Sequence, residues 1–289
     1  MGMHRFKQVD VFTAKPLLGN PVAVVFDADD LTDAQMLALA AWTNLSETTF
    51  LCRPTTAEAD YRLRIFHPTG ELPFAGHPTV GSAHAALEAG LVAKREFVQE
   101  CGAGLLPLRA EGDGPDRRVF VRAPAAEVVH EFATSVDAIS AALGAPVAAD
   151  PPPTSVSNGP AWIFCRMDSA DAIASLRPDM TTVARLSRDF DATGIAAFAF
   201  TQGETAVRIR CFAPAVGVPE DPVTGSANAA LPTYLARYGL LDRTGREYTS
   251  SQGTELGRDG SVYVRVLDDA GRAEIGGQAV TVIDGEIRL

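Results

Sequence analysis

The stretch from Arg64 to Leu87, RIFHPTGELPFAGHPTVGSAHAAL, occurs a second time from Arg208 to Leu231 as RIRCFAPAVGVPEDPVTGSANAAL, and the two align without a gap. Identical residues fall at Arg64/Arg208, Ile65/Ile209, Pro78/Pro222, Gly81/Gly225, Ser82/Ser226, Ala83/Ala227, Ala85/Ala229, Ala86/Ala230 and Leu87/Leu231. Unrelated segments of this length share roughly two residues, a few more in an Ala-rich chain. A duplicated half-chain is therefore the leading constraint on the fold. Each copy reads as a strand, a Gly/Pro-rich turn and a helix of small apolar residues. Proline suits a first helical turn because its missing N–H is not needed there. That reading places His77 and Asp221 at two helix entrances, where exposed backbone N–H groups and the helix dipole favour an anion.

The order of elements repeats as well. A strand from His4 to Phe12 precedes the turn at Pro16, Gly19, Asn20 and Pro21 and the apolar run Val22 to Phe26. Thr32 or Asp30 can cap a helix running to about Thr43, with Met36, Leu37, Leu39, Ala40 and Thr43 as its buried stripe. The segment Asn44 to Cys52 reads as β, and after the first copy come strands at Phe97 to Cys101, Leu105 to Ala110 and Val119 to Ala123. The second half opens with the helix Ser135 to Leu143 and a stiff loop containing Pro151 to Pro153. Asn158-Gly159-Pro160 followed by an apolar strand then matches Gly19-Asn20-Pro21, and a strand from Ile195 to Thr201 leads into the second copy. The expected domains are residues 1–125 and 126–289. In a duplicated fold the last strand can return to complete the first domain.

Composition narrows the function. At 289 residues and 46% hydrophobic the chain can bury a core of about two domains. The net charge is −11, with no Lys/Arg run interleaved with aromatics, which argues against nucleic acid as a partner. The N-terminus lacks the apolar run and cleavage site of a signal peptide, and no apolar run of about 18 residues occurs, so a cytoplasmic protein without a membrane span is expected. Cys52, Cys101, Cys165 and Cys211 form no CxxC pair and are expected to pack as small buried apolar groups.

Glu47, within NLSETTF, is a carboxylate in a β-branched and aromatic run, where Glu is depleted. It is either a solvent-facing residue of an edge strand or a desolvated group of raised pKa, suited to moving protons. Asp221 before Pro222 is either a helix cap or a member of a site. His is a poor cap, so His77 at the equivalent position favours a site. Ser226 could donate a hydroxyl, whereas its twin Ser82 could equally be a packing residue. No GxSxG elbow, GxGxxG or GxxxxGK[ST] is present, and the histidines have no metal-ligand spacing.

Taken together, HRFKQVDVFTAKPLLGNPVAVVF, NLSETTF, GELPFAGHPTVGSAH and PEDPVTGSANAAL resemble the PhzF-like (phenazine biosynthesis) family of the diaminopimelate-epimerase-like fold, over essentially the whole chain. The resemblance implies an α/β (α+β) protein of two pseudo-symmetric domains. Each is a mostly antiparallel curved sheet or barrel around a central helix, with the active site in the cleft between them. It also implies a homodimer that uses no cofactor and acts on a small carboxylate. Residue by residue it implies Glu47 as general acid/base, His77 and Asp221 as the other catalytic groups, and Ser46, Gly76, Gly225 and Ser226 as substrate-binding. Related racemases and epimerases carry a thiol at each helix entrance. With His77 and Asp221 there instead, the resemblance implies a proton shift by one carboxylate, as in the family's dihydro-hydroxyanthranilate isomerase. An amino-acid or hydroxy-acid racemase or epimerase, and a non-catalytic small-anion binding protein, are the alternatives.

Overall fold

The computed structural model describes residues 2–289 and divides into two units. One comprises the chain up to Arg122 together with Gly276–Leu289, and the other is Ala123–Ile275. The first domain thus ends three residues before the expected boundary at residue 125, and the chain's last residues belong to it.

The first unit contains strands β1 (Met3–Val11), β2 (Asn20–Val25), β3 (Thr48–Cys52), β4 (Tyr61–His67), β5 (Gly70–Leu72), β6 (Glu96–Cys101), β7 (Gly104–Glu111) and β8 (Arg118–Arg122), with helices α1 (Asp33–Thr43) and α2 (Gly76–Glu88). The second contains β9 (Glu127–Glu131), β10 (Thr154–Ser157), β11 (Ala161–Arg166), β12 (Gly194–Phe200), β13 (Val207–Ala213), β14 (Val218–Asp221), β15 (Glu247–Gln252) and β16 (Gly260–Val266). Its helices are α3 (Val136–Leu143), α4 (Ala170–Ser175), α5 (Met180–Asp189) and α6 (Gly225–Arg237). A final strand, β17 (Ala273–Arg288), begins in the second unit and runs on into the first.

In the first unit the pairings close a ring. β1 pairs β2, β2 pairs β3, β3 pairs β4, β4 pairs β6, β6 pairs β7 and β7 pairs β8. β8 then pairs β17, which returns to β1 with Met3 opposite Arg288 and Val11 opposite Ala279. Only the β2/β3 and β4/β6 pairs of this barrel are parallel among the registers described. The second unit repeats the order: β10/β11 antiparallel, β11/β12 parallel, β12/β13 antiparallel, β13/β15 parallel and β15/β16 antiparallel. Here β9 pairs β10 as β17 pairs β1. The duplication read in the sequence is a duplication of strand pairing.

A helix enclosed by strands on all sides must have small residues all round. In α2 every residue from Gly76 to Ala86 is buried. A Cβ on Gly81 would stand 2.5 Å from Val22 Cγ1 and 2.7 Å from Val11 Cγ2, so only glycine lets β1 and β2 approach this closely. In α6, Gly225 and the run from Ala227 to Leu235 are buried in the same way. The remaining helices cover barrel exteriors. Met36, Leu39 and Ala40 of α1 pack on Phe50 and Phe66, after a capping box in which Thr32 and Gln35 satisfy each other's backbone. Ile139 and Leu143 of α3 and Val183 and Leu186 of α5 pack on Ile163 and Phe212.

One buried charge ties the first barrel together. The Lys7 ammonium is 1% exposed and joins Glu88, at the end of α2, to Asp284 of β17 at 3.0 Å. A lysine so enclosed is tolerable only because carboxylates surround it. Cys101, Cys165 and Cys211 are buried as expected, but Cys52 is only partly so. It ends β3, where the sheet meets solvent, and burial with Asp29 nearby pushes its thiol up to about 11. Among the described residues no helix is long and apolar enough to cross a membrane.

Candidate active site

The first helix entrance holds two of the expected residues in contact. α2 begins at Gly76 after an extended Ala75, so His77 and Pro78 both lie within its first turn. Glu47 is not in a strand. It sits in the short connection between α1 and β3, one residue before β3 begins. Asn44 ends α1 in the left-handed conformation, and the chain needs Leu45 to Glu47 to reverse before Thr48 can pair. The strand propensity of NLSETTF belongs to its second half only.

His77 Nε2 lies 3.3 Å from Glu47 Oε2, with the two side chains 7% and 16% exposed. Burial pushes the imidazole down to about 3, partly opposed by the Pro21 backbone carbonyl, so His77 is neutral at physiological pH. A neutral imidazole has one N–H, and with that given to the Pro21 carbonyl, Nε2 carries a lone pair and has no proton to donate to a carboxylate. It is well suited to accept a hydrogen bond from a carboxylic acid. Beside them, Ser46 Oγ is 3.5 Å from Asn20 Oδ1 on the first residue of β2. Of the first-turn residues of α2, Gly76 and His77 have N–H groups without a helical acceptor, and Pro78 has none to give.

The second entrance is built differently, which corrects the expectation of equivalent helix starts. α6 begins at Gly225, Asp221 ends β14, and Pro222 lies in the turn between. Long-range hydrogen bonds explain the later start. Gln252, 2% exposed, donates from Nε2 to the Asp221 carbonyl and to Thr224 Oγ1, both at 2.9 Å. Its Oε1 accepts from the Thr224 N–H at 2.9 Å and from Asn228 Nδ2 at 3.3 Å. With those backbone groups satisfied, residues 221 to 224 have no need of a helical turn. Nor is Asp221 a helix cap. Its carboxylate accepts from Thr224 Oγ1 at 2.6 Å, while the cap position belongs to Thr224. Next to it Glu220 is held by the buried Arg210 through paired bonds of 2.8 Å, which fixes the end of β14.

Ser226 is in the first turn of α6 and partly exposed. Trp162 Nε1 donates to its hydroxyl at 3.0 Å, and Asn158 Nδ2 donates to its carbonyl at 3.0 Å. Gly225, Ser226 and Ala227 supply first-turn N–H groups, because Asn228 is the first residue to bond back, to the Thr224 carbonyl. Within the first unit, then, the structure brings together Glu47 and His77, with Ser46 and Gly76 on the adjoining segments. Within the second it brings together Asp221, Gly225 and Ser226. The sequence reading missed Trp162, Asn158, Gln252 and Arg210. The first two had a signal in Asn158-Gly159-Pro160-Ala161-Trp162, a strand entrance that swaps a small residue for one of only two tryptophans. Among the described residues no three His, Cys, Asp or Glu are grouped so as to hold a metal ion.

Comparison with known proteins agrees with this architecture. The family model for phenazine biosynthesis-like proteins, PhzC-PhzF, matches residues 9–285. The chain is 38% identical to antisense-enhancing sequence 1 of Schizosaccharomyces pombe, over 99% of each chain. It is 36% identical to the trans-2,3-dihydro-3-hydroxyanthranilate isomerase of Pseudomonas aeruginosa, over 99% of this chain and 100% of that one. A solved structure of a PhzF-family phenazine biosynthesis protein from Bacillus anthracis superposes with a TM-score of 0.88 at 27% identity, covering 100% of both chains. A probable proline racemase from Agrobacterium radiobacter shares the fold at 15% identity, with a TM-score of 0.65 over 99% of this chain and 93% of the other.

Proposed function

Since the chain belongs to the phenazine biosynthesis-like (PhzC-PhzF) family and is an isomerase of the PhzF type, we propose that it moves one proton between two carbons of a small unsaturated carboxylate, with Glu47 as the group that takes and returns it. The observation that carries this reading is the buried contact between Glu47 and a neutral His77. In the first step the Glu47 carboxylate takes a proton from carbon. The C–H electrons pass into the adjacent π system as an enol or dienolate. In the second step the carboxylic acid returns the proton to another carbon on the same face, and the carboxylate is restored.

His77 contributes by what it accepts. Its Nε2 lone pair faces Glu47 Oε2, a poor partner for a carboxylate and a good one for the acid that exists only between the two steps. Asp221 is the second polar catalytic group, held by Thr224. The first-turn N–H groups at Gly76, Gly225 and Ser226, with the Ser46 and Ser226 hydroxyls, bind the substrate carboxylate and the oxygen on which negative charge develops. trans-2,3-Dihydro-3-hydroxyanthranilate, the substrate named for the Pseudomonas relative, is the proposed first substrate.

The test is to incubate the protein with that compound in heavy water and follow its ring protons by NMR, with Glu47→Gln as control. Isomerisation or deuterium uptake that vanishes in the variant is the expected result. Turnover that survives Glu47→Gln would remove Glu47 from the role. Inversion of a stereocentre without a positional shift would replace the isomerase step by epimerisation.

A further inference from the structure

The two copies of the duplicated helix carry the same serine in opposite hydrogen-bonding states. Ser82 is fully buried, with its Oγ 2.8 Å from Thr49 Oγ1, and Thr49 Oγ1 also donates to the Ala23 carbonyl at 3.1 Å. A hydroxyl has one proton to give. Thr49 spends its own on Ala23, so Ser82 must donate to Thr49, and the Ser82 hydroxyl has no proton left for a ligand.

Ser226 faces the reverse situation. An indole N–H can only donate, so at 3.0 Å from Trp162 Nε1 the Ser226 oxygen must accept. Its proton is then directed away from the indole. Two further features make this a built arrangement. A Cβ at Gly194, which pairs with Trp162 across the β11/β12 ladder, would stand 2.2 Å from the Phe212 carbonyl oxygen and 2.9 Å from Trp162 Cζ3, so glycine there serves both the close approach of β13 and the place of the indole. The Asn158 side chain, 5% exposed, fixes the Ser226 carbonyl, so the peptide and the hydroxyl of this residue are both held.

We propose that Trp162 is a positioning residue that sets the polarity of Ser226: by filling an acceptor site on the hydroxyl it turns the proton toward the substrate, so this subsite favours an oxygen that accepts, a carboxylate or enolate. The inference rests on Ser226 being substrate-binding, as read above. It adds the reason why this serine and not its twin serves.

With only Trp42 and Trp162 in the chain, the two indole N–H resonances are readily assigned through Trp162→Phe. The probe is 2-aminobenzoate, a stable amino carboxylate, titrated into wild type, Ser226→Ala, Trp162→Phe and the double variant. The expected result is that the probe shifts the Trp162 indole resonance in wild type and not in Ser226→Ala. Each single variant binds about tenfold more weakly, as for one lost bond to a charged group, and the double variant is no weaker than Ser226→Ala. Trp162→Phe that binds as wild type while Ser226→Ala does not would overturn the proposal. So would losses that multiply in the double variant, or a Trp162 resonance indifferent to the probe. Protein that shows the expected coupling but moves no proton in heavy water would instead remove the isomerase mechanism and leave the role of Trp162 standing.

Discussion

The entrances of α2 and α6 descend from one sequence pattern and have been put to different uses. At the first, the helix begins at Gly76, a proline removes one backbone donor, and a neutral imidazole faces a carboxylate. At the second, the helix begins at Gly225, well after Asp221, and its first turn retains three N–H groups and a serine hydroxyl turned outward by an indole. The first is suited to holding a proton and the second to holding negative charge. Even the identical pairs diverge: Gly81 packs within α2 against Val11 and Val22 while Gly225 starts α6, and Ser82 bonds Thr49 while Ser226 bonds Trp162.

The widest separation between the two comes from removing the proton carrier. Glu47→Gln keeps size and hydrogen-bonding capacity but cannot exchange a proton with carbon, so kcat should fall about a thousandfold, within the range usual for general acid/base groups. Asp221→Asn should cost less, and its loss should divide between kcat and KM. Comparable losses with an unchanged KM in both variants would place proton transfer at both entrances and favour an epimerase.

Stability should respond most at the second entrance. Gln252→Leu forfeits four hydrogen bonds, three of them buried, and two of the four go to backbone groups of residues 221 and 224. Leaving such groups unpaired should cost about 3 kcal/mol, read as a lower urea midpoint with unchanged slope. A loss below about 0.5 kcal/mol, within ordinary surface-substitution scatter, would mean that something other than Gln252 delays the start of α6.

The serine pair should separate activity from stability. Ser82→Ala leaves Thr49 without its donor, and Ser226→Ala leaves the Trp162 N–H without its acceptor, so each should lose about 1–2 kcal/mol. Only Ser226→Ala should also raise KM. Equal kinetic effects would erase the distinction between the two helices.

Much of this was legible in the sequence, because duplication and small-residue patterning are local properties. The order of strands and the central helices follow from repeated motifs and family resemblance, which also single out Glu47, His77, Asp221 and Ser226 as candidates. What was not legible depends on contacts distant in sequence. The start of α6 is set by Gln252, on a strand beyond the helix itself. Glu47 lies outside its strand because α1 ends in a left-handed Asn44 and the connection is short. Trp162 is marked in the sequence only as a departure from the repeated strand entrance, and its meaning appears when its indole is seen to reach Ser226.

The smallest expected effect concerns a group that only the first central helix contains. His84 lies two turns beyond His77 on the same face of α2, 7% exposed, where the second copy has Asn228. Burial pushes its imidazole down to about 4, with Arg117 and Lys7 acting in the same direction and Glu88 against them. An unfolded chain binds a proton at His84 below its ordinary value of 6.5, whereas the folded barrel refuses it until about 4. Stability is therefore intact above that window and lost as pH falls through it. Between pH 7 and pH 5.5 this one residue should cost about 1 kcal/mol. His84→Leu should flatten that part of the pH dependence in urea melts, since leucine fills the barrel without titrating. His77, equally buried, remains in both proteins as the internal reference. If the wild type and His84→Leu keep parallel stability curves over the interval, His84 takes up its proton in the barrel as readily as in the unfolded chain, and burial does not hold it neutral.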